Sequence, residues 1–344
     1  MITRTTRRAL ALAVAAGTAL AMGTACTATK QAGASGPTDG PVKLGLVTKT
    51  DSNPYFVSMR SAAEQEASAK GATVIAKAGK EDGDNDSQVK AVEDLIAAGV
   101  RAIMITPSDT KAIVPVLKKA QQKNILVIAL DTQTDGNQGV DATFATDNTQ
   151  AGVLQGQYVK AALGQKQPRV ALLDLQPGVT VGDQRHNGFL KGIGLADSAR
   201  EISGRGDTNG DQGKGQTAME NLLQRDSGIN AVYTINEPAA IGAFTAIKNA
   251  GKADGVVIGS IDGGCTGVQA VKEGQIAATV MQFPGKMARL GVAASVEFAK
   301  SGAKPQVPTT GYIDTGVQLV TDKPLGGLDA KDTAWGAQNC WGKK

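Results

Sequence analysis

Asp, Asn and Gln residues directly follow most of the apolar segments that this sequence predicts to be β-strands. The set comprises Asn53, Asp131, Asp147, Asn236, Asp262 and Gln282. Their carboxylates and planar amides donate or accept hydrogen bonds in fixed directions. The aromatic residues Tyr55 and Phe56 stand beside the first position, and a ring face can cover the C–H face of a sugar. These residue types together predict a site for a small sugar.

Each Asp or Asn has a simpler explanation, because both residues also favour helix caps and turns. The repetition of the pattern in both halves of the chain is what favours a binding site over a series of caps.

Residues that could do other chemistry are poorly placed. The only histidine, His186, stands beside Arg185 on a predicted helix, and the Gly-rich segment 206–217 lacks the spacing of a phosphate-binding loop. The acidic segment 82–93 matches a calcium loop at several positions, but Ser87 stands where that loop needs Gly. We therefore expect no catalytic group, no cofactor and no metal, with calcium at 82–93 left open.

Short apolar runs alternate with helical patterns from residue 42 onward. The predicted strands are 42–48, 72–78, 102–106, 125–130, 142–146, 169–175, 231–235, 256–261 and 277–282. The predicted helices are 54–70, 87–98, 111–123, 148–163, 183–193, 217–225, 239–250, 267–273 and 285–300. Apolar strands between helices are typical of parallel sheets buried on both faces. We therefore predict an α/β protein of two doubly wound lobes, with ligands beyond the carboxyl ends of the strands.

The first residues have the pattern of an export signal. Arginines at 4, 7 and 8 precede an apolar run at 9–22, which is short for a membrane span. Small residues then lead to Cys26, as in a bacterial lipoprotein signal, although Gly23 stands where Leu is usual. We predict a signal peptide at 1–25, a lipid on Cys26 and a flexible tether at 26–40. The alternative is an ordinary secretory signal followed by a leftover cysteine.

Charge and cysteine content limit the partners. The formal net charge is +4, and 33 basic residues face 32 acidic ones once the predicted signal is removed. No basic stripe with interleaved aromatic residues occurs, so we expect no nucleic-acid partner. In an exported chain, Cys265 and Cys340 favour a disulfide bond, and two unpaired thiols are the alternative.

The chain from about 42 to 343 resembles type I periplasmic sugar-binding proteins of the ribose/galactose class. Within that class it is most similar to fructose-binding proteins of bacterial ABC importers, especially through DGGC at 262–265 and NCWG at 339–342. The other segments that carry the resemblance are 46–56, 82–89, 105–115, 129–135, 142–148, 208–212, 219–224, 232–240 and 315–324.

The resemblance implies two lobes joined by a hinge of several chain crossings. The first lobe would comprise 41–147 and 283–310, and the second 148–282 and 311–344. The resemblance also implies the sugar contacts. They are Asn53, Tyr55, Phe56, Asp131, Thr132, Arg185, Asn236, Asp262 and Gln282, with Asp147 near a hinge crossing.

Two positions depart from the ribose-binding pattern. Thr132 stands where ribose binders have Arg, and losing a fixed charged fork removes a strong directional donor. The segment 208–212 also lacks the aromatic residue with which the family's second lobe stacks on the sugar. The Thr132 departure weakens the case for ribose and fits the fructose-binding branch.

The function implied is that of a monomeric binding protein, not an enzyme, which captures a monosaccharide outside the cytoplasm for an ABC permease. Fructose is the first choice, and ribose, xylose, mannose and polyols stay open. A binder that reports to a sensory receptor and an exported α/β hydrolase are the alternatives. Sugar-responsive repressors share the fold but carry a DNA-binding head where this chain has its export signal.

Overall fold

A computed structural model describes residues 41–325 and 327–342. The predicted signal peptide, Cys26 and the tether lie outside these residues. The strands are β1 (Val42–Thr48), β2 (Ala72–Ala78), β3 (Ala102–Ile105), β4 (Leu126–Leu130), β5 (Ala142–Ala145), β6 (Val170–Asp174), β7 (Ile202–Asp207), β8 (Ala231–Thr234), β9 (Val257–Asp262), β10 (Ala278–Met281), β11 (Ile313–Asp314), β12 (Gln318–Val320) and β13 (Ala330–Lys331).

Helices connect most of these strands. They are α1 (Pro54–Ala69), α2 (Asn85–Ala97), α3 (Val114–Gln122), α4 (Asn148–Leu163), α5 (Thr180–Ile193), α6 (Gln212–Arg225), α7 (Glu237–Asn249), α8 (Cys265–Lys272), α9 (Pro284–Ser301) and α10 (Thr333–Asn339). No helix in 41–325 or 327–342 is both long and apolar enough to cross a membrane.

The first lobe is a parallel sheet in the order β11-β5-β4-β3-β1-β2. Alternate side chains of its strands point to opposite faces. Leu44 and Leu46 of β1 pack in the core with α1 and α9, whereas Val47 packs in the core with α2 and α3. The sheet is therefore buried on both faces, as its nearly continuous apolar strands predict.

The second lobe is a sheet in the order β13-β12-β10-β9-β8-β6-β7, parallel except between β10 and β12. Val170 and Leu172 of β6 face α5, and Ala171 and Leu173 face α6 and α7. The predicted architecture of two doubly wound α/β lobes is confirmed.

Each predicted strand is present. Strand β7, which was not predicted, and the early start of α6 have physical explanations. β7 reads ISGRGD and is an edge strand with half-exposed side chains, so it lacks an apolar run. Helix α6 begins at Gln212, earlier than the predicted 217, because the Asp211 side chain caps it. Glycine weakens the helical pattern there, but Gly215 allows close packing on Ala239 of α7.

The chain passes between the sheets three times: after β5, after β10 and after β11. Helix α9 follows the second crossing and packs on α1 in the first lobe. The last return to the second lobe, expected at about residue 311, comes slightly later in the chain. Ile313 and Asp314 still pair with Phe144 and Ala145, so the crossing comes after Asp314.

The predicted disulfide bond joins Cys265 at the start of α8 to Cys340 just after α10, with their Cα atoms 4.9 Å apart. It fixes the end of the chain to the loop that follows β9. The tail therefore reaches the carboxyl edge of the second sheet, where the site residues lie.

Candidate functional site

The carboxyl ends of the two sheets face each other across a cleft, and a cavity of about 40 Å³ lies between them. Its lining residues are Lys49, Asn53, Tyr55, Phe56, Asp82, Asp131, Leu175, Val181, Arg185, Ile235, Asn236, Asp262 and Gln282. The fold thus brings together all the predicted sugar contacts except Thr132 and Asp147.

Tyr55 and Asp131 form the centre of the first-lobe side. The Tyr55 hydroxyl lies 2.9 Å from Asp131 Oδ1 and 3.2 Å from Gln282 Oε1. Burial, reinforced by the Asp131 carboxylate, raises the pKa of Tyr55 well above its usual value. The phenol therefore stays protonated and can donate one hydrogen bond, to Asp131 or to a ligand oxygen.

Asp262 and Arg185 occupy the second-lobe side. Asp262 ends β9, and its carboxylate accepts a 2.7 Å hydrogen bond from Gln282 Nε2. Burial holds the pKa of Asp262 above its usual range, and the nearby positive charge of Arg185 opposes this effect. A hydrogen-bonding ligand would meet a carboxylate, an amide and a guanidinium within a few ångströms.

The close approach of α4 and α5 positions Arg185. The two helices meet through Gly152, Gly156, Gly188 and Gly192, where an added Cβ would collide with the facing backbone. At this distance Arg185 Nε donates to Asn148 Oδ1 of α4 at 2.8 Å, and Nη1 donates to the Ile235 carbonyl at 2.9 Å. The guanidinium is therefore held rigidly at the cleft.

Asn236 is both a cleft residue and a helix cap. Its Oδ1 accepts from the backbone N–H of Ala239 at the start of α7, and its Nδ2 donates to the Gly210 carbonyl. Asn53 likewise lines the cleft while its Oδ1 accepts from the Tyr55 backbone N–H. A strand-end Asn can therefore cap a helix and line the cleft at the same time.

Thr132 and Asp147 lie apart from the cavity. Thr132 is fully buried, and its hydroxyl donates to Asp131 Oδ2 at 2.8 Å. Asp147 caps α4 through a 2.8 Å bond from the Gln150 backbone N–H, and its own N–H donates to Asp314 beside another crossing. Thr132 therefore orients Asp131, and Asp147 lies at the hinge.

Lys49 is a cavity residue that the sequence pattern of Asp, Asn and Gln after strands does not predict. This residue follows β1 directly, is only 2% exposed and lines the cavity, with its Nζ 3.3 Å from Asp82 Oδ2. Asp82 Oδ1 also accepts from Gln176 Nε2 of the second lobe at 3.2 Å. The signal that could have predicted Lys49 is its position directly after a buried strand, where the pattern includes Asp, Asn and Gln but not Lys.

The acidic segment 82–93 does not converge on one point. Asp84 caps α2, and Gln88 is buried between the Thr48 and Thr106 carbonyls and the Ser108 N–H. Glu93 pairs with Lys119 on the protein surface. Within 41–325 and 327–342 no cluster of three or more His, Cys, Asp or Glu side chains could hold a metal ion.

Several hydrogen bonds join the lobes across the cleft. The Thr110 N–H and hydroxyl group both lie within 3.1 Å of the Gly178 carbonyl, and the Thr180 hydroxyl donates to the Gln133 carbonyl at 2.6 Å. Lys214 Nζ lies 3.3 Å from Glu81 at the rim. These bonds would have to break for the lobes to separate.

A wider groove of about 510 Å³ adjoins the inner cavity and shares Asn53, Phe56, Asp82 and Asp262 with it. Ligand sites for small molecules commonly measure about 300–1,000 Å³. The groove has this size, whereas the inner cavity alone does not. Entry of a sugar ring between Asp131 and Asp262 therefore requires the lobes to move apart.

Two α/β lobes with polar groups converging at their hinged cleft define a ligand-binding protein of the periplasmic type. A family model described as a periplasmic binding protein domain matches residues 44–304. The chain belongs to this family, in its type I sugar-binding class of ribose and galactose binders. Membership makes it a binding protein rather than an enzyme.

Individual relatives agree with this assignment. The ribose import binding protein of Bacillus subtilis is 35% identical over 254 residues, which cover 73% of this chain and 80% of that protein. The D-allose-binding periplasmic protein of Escherichia coli is 30% identical over 268 residues, covering 76% and 85%.

Solved structures show the same fold. A solute-binding protein from Actinobacillus succinogenes with bound D-allose superposes with a TM-score of 0.73 at 30% identity, covering 81% of this chain and 97% of its own. One from Agrobacterium vitis with bound D-fucose gives a TM-score of 0.76 at 27% identity, covering 87% and 99%.

Proposed function

We propose that this protein is the extracytoplasmic substrate-binding component of an ABC sugar importer. It binds one monosaccharide between its lobes and delivers it to the membrane permease. The observation that carries this is the convergence of directional polar groups from both lobes, Asp131 and Tyr55 from one and Arg185 and Asp262 from the other, around one cavity. Named relatives that bind ribose and D-allose support the ligand class.

The site supports binding by exchange of hydrogen bonds. In this structure the polar groups satisfy one another, as Tyr55 does with Asp131 and Gln282 does with Asp262. Sugar hydroxyl groups would replace these partners one for one as the lobes close on the ring. The exchange leaves no buried donor or acceptor unpaired, which is the condition for tight binding of a polar ligand.

D-Fructose is the first ligand we propose, with D-ribose and D-allose as its competitors. The fructose proposal depends on the resemblance of the DGGC and NCWG segments and on Thr132. The Thr132 hydroxyl donates a hydrogen bond to Asp131, and Thr132 cannot offer the ligand the charged, bidentate donor that an Arg guanidinium would provide. The competitors are supported by the named ligands of the relatives.

We further propose that a lipid on Cys26 holds the protein at the outer face of the cytoplasmic membrane. The basic and apolar segments before Cys26 support export, and the small polar residues after it suit a tether. A tethered protein can reach the permease while its lobes remain free to open and close.

Isothermal titration calorimetry against D-fructose, D-ribose, D-allose, D-xylose, D-mannose and myo-inositol tests the proposal. We expect saturable one-to-one binding of at least one sugar, which is recovered chemically unchanged after hours with the protein. Absence of binding to every sugar, or conversion of the sugar, would refute the proposal.

A further inference from the structure

We propose that Trp341, brought to the cleft by the Cys265–Cys340 disulfide, forms an aromatic wall of the sugar site and sets which sugars fit. The inference rests on the proposed function and adds a residue that lies at the end of the chain, far in sequence from the other contacts. Trp341 lines the wide groove together with Asn53, Phe56 and Asp262.

The tail is fixed at the cleft by covalent and backbone bonds. Helix α10 packs on α8, and Cys340 is bonded to Cys265 at the first position of α8. The Cys265 N–H donates to the Trp341 carbonyl at 2.9 Å, and Gly264 forms a parallel bridge with Trp341. A tail held this way carries its side chain in one place rather than sampling many.

The Trp341 ring contacts the proposed sugar-binding residues Asp262, Gln282 and Tyr55. Its Nε1 lies 3.2 Å from the Asp262 carbonyl and 3.1 Å from the Gln282 carbonyl, so the indole N–H is satisfied by two proposed sugar-binding residues. The ring also meets Tyr55 edge to face, with centroids 5.1 Å apart and planes at 82°. Trp341 therefore touches three residues of the site at once.

The glycines of the DGGC segment make room for this ring. At Gly264 a Cβ would lie 3.1 Å from Trp341 Cη2 and 3.1 Å from Glu237 Oε2. Gly263 has φ +77°, a conformation that other residues rarely adopt. The buried Glu237 carboxylate accepts from the N–H groups of both glycines and from the Thr279 hydroxyl, which fixes the loop. The DGGC and NCWG segments thus form one local structure.

The aromatic residues at the cleft come from both lobes. Tyr55 and Phe56 belong to the first lobe. In the described part of the second lobe and its tail, Trp341 is the one aromatic residue that lines the groove or the inner cavity. It remains half-buried although its N–H is bonded, so part of the indole faces the groove. Phe56 and Trp341 both line the groove, so a sugar there would have an aromatic residue of each lobe beside it, and an aromatic ring suits the apolar C–H face of a pyranose or furanose.

A direct contact experiment uses the small number of tryptophans. The chain has two, and Trp335 on α10 lies away from the cleft, so Trp335→Phe leaves Trp341 as the single indole. We expect intermolecular nuclear Overhauser effects between the Trp341 ring protons and C–H protons of D-fructose, D-ribose or D-allose, whichever binds. A purely structural tryptophan would give none, and their absence from a saturated complex would overturn the proposal.

Affinity measurements on two variants test whether the aromatic face of Trp341, and not only its volume, contributes to sugar binding. We expect Trp341→Phe to bind within about 3-fold of wild type because it keeps an aromatic face. Trp341→Leu should bind about 10-fold more weakly, or about 1.4 kcal/mol, and should change the ranking of the three sugars. Trp335→Leu is the matched control and should alter neither. Equal affinity and ranking of Trp341→Leu and wild type would overturn the proposal.

Removal of the disulfide bond provides a second, independent test of the proposal. In Cys265→Ser/Cys340→Ser the tail loses its covalent link and keeps only its backbone and packing contacts, so we expect a loss of affinity that does not exceed that of Trp341→Leu. Adding this double change to Trp341→Leu should cause little further loss because both changes act on the same wall. Fully additive losses would contradict the proposed link.

These outcomes distinguish the two proposals. If none of the six sugars in the calorimetric test binds the wild-type chain, the proposed function fails and this inference fails with it. If a sugar binds wild type and Trp341→Leu equally well, only the role of Trp341 is refuted.

Discussion

Arg185 Nη1 lies 3.6 Å from Asp262 Oδ1, and both side chains are nearly inaccessible, at 5% and 6% exposure. A buried ion pair contributes little net stability on average, but removing one partner leaves the other charge buried and uncompensated. The pair lies between α5 and β9 within the second lobe, so both side chains are already in place when a sugar arrives. This arrangement gives the second lobe a preorganised donor and acceptor.

Arg185→Ala is therefore expected to lower sugar affinity by 100-fold or more, because it removes a charged donor and leaves Asp262 unpaired. Titration calorimetry with the sugar that binds wild type measures the loss. Arg205→Ala, on the surface of the same lobe, is the matched control and should bind normally. Near wild-type binding by Arg185→Ala would show that the guanidinium does not contact the sugar.

Asp131→Ala is expected to lower affinity to a similar degree, since Asp131 is a first-lobe carboxylate at the cavity and the partner of Tyr55. Asp131→Asn keeps the shape but offers one acceptor oxygen, so its loss should be smaller. Asp135→Ala, which lies in the turn after β4 and outside the cavity, provides the control in the same calorimetric assay. Equal affinities for Asp131→Ala and wild type would contradict the assignment.

Much of this site could be predicted from the sequence because parallel strands end at one edge of a sheet. The residues directly after buried strands, such as Asp131, Asn236 and Asp262, were found from that rule. Their assembly from two lobes depended on the family resemblance, since no local pattern shows which strand ends face each other.

The remaining features depend on tertiary contacts that no local pattern encodes. Lys49 is buried because Asp82 is beside it, and Asp82 in turn receives a bond from Gln176, 94 residues later in the chain. Trp341 is held at the site by a disulfide between residues 75 positions apart and by backbone contacts with Gly264 and Cys265. Edge strand β7 was missed for a related reason, since exposed edges do not need an apolar sequence.

The Lys49–Asp82–Gln176 contact predicts an effect on lobe closure. Gln176→Ala removes a hydrogen bond between the lobes without touching the inner cavity, so affinity should fall only about 2- to 10-fold, in line with the ~0.5–1.5 kcal/mol of one hydrogen bond. Small-angle X-ray scattering should show a larger radius of gyration in the absence of sugar. Gln167→Ala, before β6 at the opposite edge of the sheet, should change neither quantity.

Cys26→Ser tests the anchor. If a lipid is attached to Cys26, the wild-type chain should sediment with membranes, whereas Cys26→Ser should appear in the soluble extracellular or periplasmic fraction. Sugar affinity should be unchanged because the site lies entirely within the two lobes. Intact mass measurement of the mature wild-type chain should show a lipid adduct at its N-terminus, and an unmodified thiol there would refute the prediction.

The hydrogen bonds of His186 predict how the stability of the folded protein depends on pH. Its Nδ1 lies 2.8 Å from Asp174 and its Nε2 lies 2.9 Å from Asp197, which also pairs with Arg205. The hydrogen bond with Asp174 raises the pKa of His186 above its usual value of about 6.5, although burial opposes the shift. A raised pKa means that the protonated ring stabilises the folded state fully below about pH 6.5, and that this stabilisation is lost as pH rises through the folded-state pKa.

Wild type should therefore lose more thermal stability than His186→Gln between pH 6 and pH 8.5, by ~1–3 °C in Tm. The comparison is needed because burial also raises the pKa of Glu237 and of Asp262, and these groups favour the folded state at lower pH in both proteins. Differential scanning fluorimetry across this range measures both curves. Parallel curves would show that His186 carries the same charge in the folded and unfolded chain and is only a neutral hydrogen-bonding partner of Asp174.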